Sequence, residues 1–172
     1  MIKRIIKNAT SYHVMGNRVV IEGTNYKQVG DIVADALLMV PKLTRHGFIS
    51  WSIYQQAEVI FEEIGSELME LSRIKLCGFS LGGSVAILLA QLLLENGYMG
   101  EISVYAWGSP KVLSRQVVEF LSPRLKLVSW RIRHRDIVPH LGWWMEPYHF
   151  TPIEGSERKH YLDWSFKEHI SY

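Results

Sequence analysis

Ser80 stands in the stretch Gly78-Phe79-Ser80-Leu81-Gly82, with one glycine two residues before it and another two after. A short apolar segment, Ile74–Phe79, leads in, and a long apolar run from Leu81 to Asn96 leads out. A serine on a sharp strand-to-helix turn can act as a nucleophile toward an acyl carbonyl. Such a turn crowds its neighbours, and glycines at −2 and +2 remove the Cβ atoms that would clash. The next helix supplies backbone N–H groups without intrahelical partners and the positive end of its dipole. Both would stabilise negative charge developing on a carbonyl oxygen. With glycine and serine each near 7% of residues, the pattern would arise by chance about 0.06 times in a chain of this length. The competing reading is a glycine-rich turn that only packs a helix against a sheet.

Serine alone is a weak nucleophile; it needs a base, and the base an orienting acid. On a parallel sheet of this kind the chain order is serine, then Asp or Glu, then His. Asp136, in Arg133-His134-Arg135-Asp136, lies just past the apolar segment Leu125–Arg133 and has the right place for the acid. Its alternative is an ion pair with Arg133 or Arg135 on a solvated loop. Four histidines come after it: His140, His149, His160 and His169. His140 is close to Asp136 in the chain for a residue from a separate loop, and His149 falls within an expected strand. His160 and His169 both lie in the polar tail, and the residues themselves do not separate them.

The elements that must position these groups can be read along the chain. Ser11–Thr24 reads as a hairpin turning at Met15-Gly16-Asn17, with Val19–Ile21 as a buried strand ending at Gly23. Asp31–Val40 carries a helical stripe ended by Pro41. After the breaker Arg45–Phe48, a long helix is expected from about Ser50 to Leu71, kinked or interrupted at Gly65. Then come strand Ile74–Phe79, helix Leu81–Asn96 stopped by Asn96-Gly97, strand Ile102–Trp107, helix Arg115–Leu121, strand Leu125–Arg133 and a short strand at Tyr148–Ile153. Strands alternating with helices imply an α/β fold with a doubly wound, mainly parallel sheet, and the N-terminal hairpin adds an antiparallel edge.

Bulk properties narrow the classes. The chain has 172 residues, 48% of them hydrophobic, which suits one domain, 1–172, with one core. Its net charge is +2 with scattered basic residues, against the basic stripe that nucleic-acid binding needs. Cys77 is the one cysteine, which excludes an intrachain disulfide and a cysteine-based zinc site; three residues before Ser80, it reads as a core residue. No apolar run approaches the roughly eighteen residues of a membrane span. The first residues, Met1–Val14, show no apolar signal-peptide core, so the default expectation is cytoplasmic, with leaderless export left open. The basic start Met1–Lys7 reads as a first strand or a frayed end rather than a membrane-surface anchor.

Taken in order, several segments resemble the fungal-lipase-like (class 3 lipase) family of α/β-hydrolases. Val19–Thr24 (VVIEGT) resembles its strand ending in an oxyanion turn, and His46–Phe48 its entry to the long helix, one spacer short. Gly78–Ala86 (GFSLGGSVA) resembles its serine elbow, and Tyr105–Val112 (YAWGSPKV) its Gly-Ser-Pro segment. Arg135–Leu141 (RDIVPHL) resembles its aspartate loop, Glu146–Phe150 (EPYHF) a late strand, and Glu168–Tyr172 (EHISY) its terminal histidine site. The resemblance spans most of the chain, which reads as a shortened member. It implies a triad of Ser80, Asp136 and His169, and an oxyanion hole from Thr24 and the backbone N–H of Leu81. It also implies a carboxylic ester hydrolase, a lipase acting on acylglycerol or related lipid esters through an acyl-enzyme, without metal or organic cofactor.

The substrate would be a lipid or other ester, with peripheral contact at a lipid surface and no nucleic acid. Phospholipase or small-ester esterase activity, or a non-catalytic binding role on the same fold, are the alternatives. Two departures stand out. Glu22 replaces the usual arginine before the oxyanion glycine, and Phe79 the common histidine before the serine. Asn25–Leu37, where the family carries its lid, leaves little room for a separate lid helix. Trp143, Trp144 and Met145, just after the aspartate loop, read equally as an acyl-chain pocket or lipid-facing rim and as a cover over the end of a small core.

Overall fold

A computed structural model of the chain describes residues 2–5, 11–23, 40–132, 136–141 and 150–152. The apolar segments of the sequence become strands β1 (Ile2–Ile5), β2 (Ser11–Met15), β3 (Arg18–Ile21), β4 (Pro41–Thr44), β5 (Gly47–Ser50), β6 (Arg73–Phe79), β7 (Glu101–Trp107), β8 (Leu127–Ile132) and β9 (Phe150–Pro152). Among the described residues the helices are α1 (Trp51–Met69), α2 (Leu81–Glu95) and α3 (Arg115–Leu121), with a 3-10 turn at Val138–His140. The expected helix over Asp31–Val40 lies outside the described residues up to position 39, as does the segment compared with the family's lid.

Seven strands form one sheet in the order β1-β2-β3-β6-β7-β8-β9. The pairs β1–β2 and β2–β3 are antiparallel, and every pair from β3 to β9 is parallel. The antiparallel edge arises from the two-residue turn Gly16-Asn17, which fixes the pairing Met15↔Arg18 and, counting back, Tyr12↔Ile21. Gly16 takes φ 58° there, as such hairpin turns require. The expected strand within Met1–Lys7 is present as β1.

Burial in β6 and β7 alternates strictly. Ile74 and Leu76, with Ile102, Val104 and Ala106, are buried, while Lys75, Cys77 and Tyr105 are half-buried on the opposite face. The buried set joins residues of α1, α2 and α3 in one apolar cluster. Residues Leu81 to Leu93 of α2 are all buried, because this helix lies against the sheet and is covered by α1. Its sequence, apolar on every side, suits that place. At its end, Gly97 takes φ 87° and its N–H donates to Leu94 O, while the Tyr98 N–H donates to Leu93 O. This is a Schellman stop, as the Asn96-Gly97 pair predicts.

Two expectations are corrected. Gly65 does not interrupt α1, which runs unbroken from Trp51 to Met69. The glycine is buried under the Phe61 ring, which a Cβ would approach to 2.9 Å. Residues 41–50 are not merely a helix terminator and a breaker but a hairpin, β4–β5, with Arg45-His46 at its turn. That turn has neither glycine nor asparagine, so the sequence lacks the usual hairpin sign. Tertiary contacts supply what the turn lacks. Thr44 Oγ1 donates to Gly47 O at 2.8 Å, and the His46 ring stacks on Phe120 at 3.5 Å between centroids. Ser114 clasps β5, accepting from Phe48 N with its Oγ at 3.0 Å and donating its own N–H to Phe48 O at 2.8 Å.

The burial of α2 yields a stability contrast. Leu88→Ala, at a fully buried position, is expected to cost about 2–5 kcal/mol in urea unfolding, whereas Met99→Ala, at 94% exposure, should stay within roughly 0.5 kcal/mol.

Candidate active site

The turn between β6 and α2 brings two stretches of backbone together. A Cβ on Gly78 would sit 2.2 Å from Gly82 O and 2.5 Å from Gly83 N. One on Gly82 would sit 2.4 Å from Ile21 O and 2.7 Å from Glu22 O. Only glycine permits this approach, and the second contact extends it to the neighbouring strand β3. Ser80, at the apex, has φ 53° and ψ −128°. It is the one non-glycine residue with positive φ among the described residues. A serine held there costs of order 1–3 kcal/mol, a strain typical of functional positions.

The serine is fixed through its backbone. Its N–H donates to Trp107 O, at the end of β7, at 2.8 Å, and its carbonyl accepts from Gly83 N at 3.0 Å. Although it precedes α2, its hydroxyl does not cap the helix. Ser80 is 1% exposed, at the carboxyl ends of the parallel strands, where open α/β sheets bind ligands. Leu81 opens the helix, so its N–H has no intrahelical acceptor. Gly23, leaving β3, faces the same point: a Cβ on it would come within 3.2 Å of Ser80 Cβ and 2.7 Å of Phe79 O. Thr24, the next residue, lies outside the described residues.

Asp136 comes after β8, the strand beside β7, and is fully buried. The solvated-loop alternative is therefore corrected. Burial of a carboxylate demands hydrogen bonds, and one comes from Val138 N–H to Oδ1 at 2.9 Å, an Asx turn that starts the 3-10 turn. The aspartate loop is tied to the serine elbow step by step. Lys111 N donates to Leu141 O at 3.2 Å, joining it to the loop after β7. From that loop Pro110 O accepts from Ser84 Oγ, in the first turn of α2, at 2.8 Å. His140 sits in the same turn as Asp136, with its N–H on Ile137 O at 3.0 Å.

His169, Trp143, Trp144 and Met145 lie outside the described residues, as do His149 and His160. Cys77, on β6 between Val20 and Tyr105, is half-buried. Desolvation pushes its thiol above the ordinary range, against the opposing pull of Arg18 and Lys75. It therefore stays protonated at neutral pH, the inert form of a thiol. Among the described residues, no group of His, Cys, Asp and Glu could hold a metal ion, and no helix is long and apolar enough to cross a membrane.

The groups that reading the chain did not single out are Ser11 and His13. Both contact the side chain of Glu22, Ser11 by its hydroxyl and His13 through Nε2 at 2.6 Å. The signal was present, since the Gly16-Asn17 turn sets Ser11 opposite Glu22 by simple counting.

A glycine-lined elbow between a parallel strand and a buried helix, with an aspartate loop after a later strand, defines an α/β-hydrolase. The fold is shared with solved lipases. The chain superimposes on the lipase of Rhizopus microsporus var. chinensis with a TM-score of 0.77 at 15% identity, covering 99% of this chain and 72% of that one. For the Rhizomucor miehei triacylglyceride lipase the TM-score is 0.74 at 16% identity, over 95% and 74%. The class 3 lipase family profile matches residues 10–145, and the chain belongs to that family. It is also similar to Toxin TseL of Vibrio cholerae, 23% identical over 166 residues, 93% of this chain. The chain spans 25% of that toxin's length.

Because the Cβ of an alanine at position 82 would meet two backbone carbonyls of β3 and its exit, neither of which can swing away, Gly82→Ala is expected to lose at least about 2 kcal/mol. Urea denaturation of purified protein measures it.

Proposed function

We propose that the chain is a serine carboxylic ester hydrolase, a lipase acting on acylglycerol or related lipid esters. The observation that carries this reading is Ser80, held at φ 53° with β3's exit and the start of α2 on either side of it. His169 removes the hydroxyl proton as Ser80 Oγ attacks the ester carbonyl carbon. Negative charge on the carbonyl oxygen is met by the backbone N–H of Leu81 and by Thr24. Asp136, buried and oriented by Val138 N–H, holds the imidazole and stabilises its charged form. His169 then gives the proton to the departing alcohol, leaving an acyl group on Ser80. Water, deprotonated by the same histidine, attacks the acyl carbonyl and releases the acid. Trp143, Trp144 and Met145 are proposed to line the acyl chain's path.

The alternative is a phospholipase reading of the same chemistry, in which the bonds cut are those of membrane lipids. A chain-length series of esters against phospholipid vesicles separates the two. A small-ester esterase would instead favour short acyl chains.

Wild-type protein is expected to label with a fluorophosphonate probe and to hydrolyse p-nitrophenyl esters. Ser80→Ala should abolish labelling, and His169→Ala should lower kcat by about 10³-fold or more. Wild type that neither labels nor cleaves any ester leaves the non-catalytic alternative standing. In a bacterial host, the phospholipase reading expects growth arrest on induced expression, relieved by Ser80→Ala.

A further inference from the structure

The turn that would bind the oxyanion leaves β3 through Glu22, Gly23 and Thr24, and Glu22 is tethered from several sides. Its backbone N–H donates to Ser11 O at 2.8 Å, extending the β2–β3 ladder by one pair beyond Tyr12↔Ile21. The side chain lies on the same face of the hairpin as those of Ser11 and His13, since residues two apart on a strand share a face. Ser11 Oγ donates to Glu22 Oε2, and His13 Nε2 lies 2.6 Å from Glu22 Oε1. A carboxylate can only accept, so the His13 proton is on Nε2. The other ring nitrogen, Nδ1, is buried without a hydrogen-bond partner. Both carboxylate oxygens are thus engaged by β2.

The backbone of Glu22 faces the elbow. Its carbonyl oxygen is one of the atoms a Cβ on Gly82 would strike, at 2.7 Å, and the adjoining Gly23 packs on Ser80 Cβ. Glu22 is therefore the link between the antiparallel edge and the backbone that packs on the serine elbow. This chain places a carboxylate here and supplies its partners from its own hairpin.

We propose that Glu22, held by Ser11 and His13, is a positioning residue that sets the height of the oxyanion turn over Ser80. This rests on the hydrolase reading above. Displacement of a catalytic donor by about 1 Å can cost on the order of 100-fold in rate. The effect of Glu22 passes through Gly23, which packs on Ser80.

The experiment compares Glu22→Ala, Glu22→Gln and His13→Ala with wild type, using p-nitrophenyl ester kinetics and the rate of fluorophosphonate labelling. Glu22→Ala is expected to lower kcat by about 10-fold to 100-fold with KM nearly unchanged, and to slow labelling alike. Glu22→Gln keeps an acceptor for His13 and should restore most of kcat. His13→Ala should fall between, and adding it to Glu22→Ala should cost little more, since one linkage is cut twice. Wild-type activity with kcat unchanged in Glu22→Ala and in His13→Ala overturns the positioning role alone. So does a loss of melting temperature with kcat kept, which would make Glu22 merely structural. An inert wild type overturns this role together with the hydrolase reading. Should Glu22→Ala fail to fold, His13→Ala carries the same kcat test.

Discussion

Everything at the carboxyl edge of the sheet depends on how closely two backbones pass each other where β6 gives way to α2. The gap between Gly78 and the Gly82–Gly83 peptide has no room for a methyl group. Nor does the gap between Gly82 and the carbonyls of Ile21 and Glu22. Once these are closed, the chain cannot go from strand to helix by a relaxed path, and the serine at the apex takes the strained conformation. The strain is sustained by the helix on its C-terminal side. Residues Leu81 to Leu93 are buried without a break, and the hydrophobic gain of such a helix exceeds the local cost several times over.

The same approach determines which parts of the molecule meet. Helix α2 presses on β3, so β3's exit is brought against Ser80. The serine N–H is taken by the last residue of β7, and the loop after β7 is held by Ser84 on one side and Leu141 on the other. In this way the segments before and after the elbow share one rigid frame, although they lie far apart along the chain. Asp136 is set in that frame by an amide of its own turn. For the proposed acyl transfer such rigidity would matter, because donors and carboxylate must be in place before charge develops.

Membership of the class 3 lipases is carried by a profile match over residues 10–145, while identity to the fungal lipases of the same fold is only 15–16%. In this chain the elbow rests on backbone contacts that tolerate few residue types. Beside it, a carboxylate, a hydroxyl and an imidazole are gathered on one face of the β2–β3 hairpin.

Local rules were enough for much of this. The alternation of apolar segments and glycine stops yielded the strands and helices from β6 onward, α3 at its observed bounds, and the Schellman end of α2, because each is dictated by neighbours in the chain. The elbow was legible for the same reason: its clash is between residues four apart. The β4–β5 hairpin was not, since its turn is completed by Ser114 and Phe120. Gly65 looked like a break because the sequence does not show the Phe61 ring lying across it. Asp136 looked like a candidate for a surface ion pair, and only packing of the loops after β7 and β8 decided that it is buried. Residue order thus determined the local bend and the serine at its apex. Tertiary structure decided which distant backbone presses on that bend and which polar groups lose contact with water, because those depend on contacts between segments that no local pattern encodes.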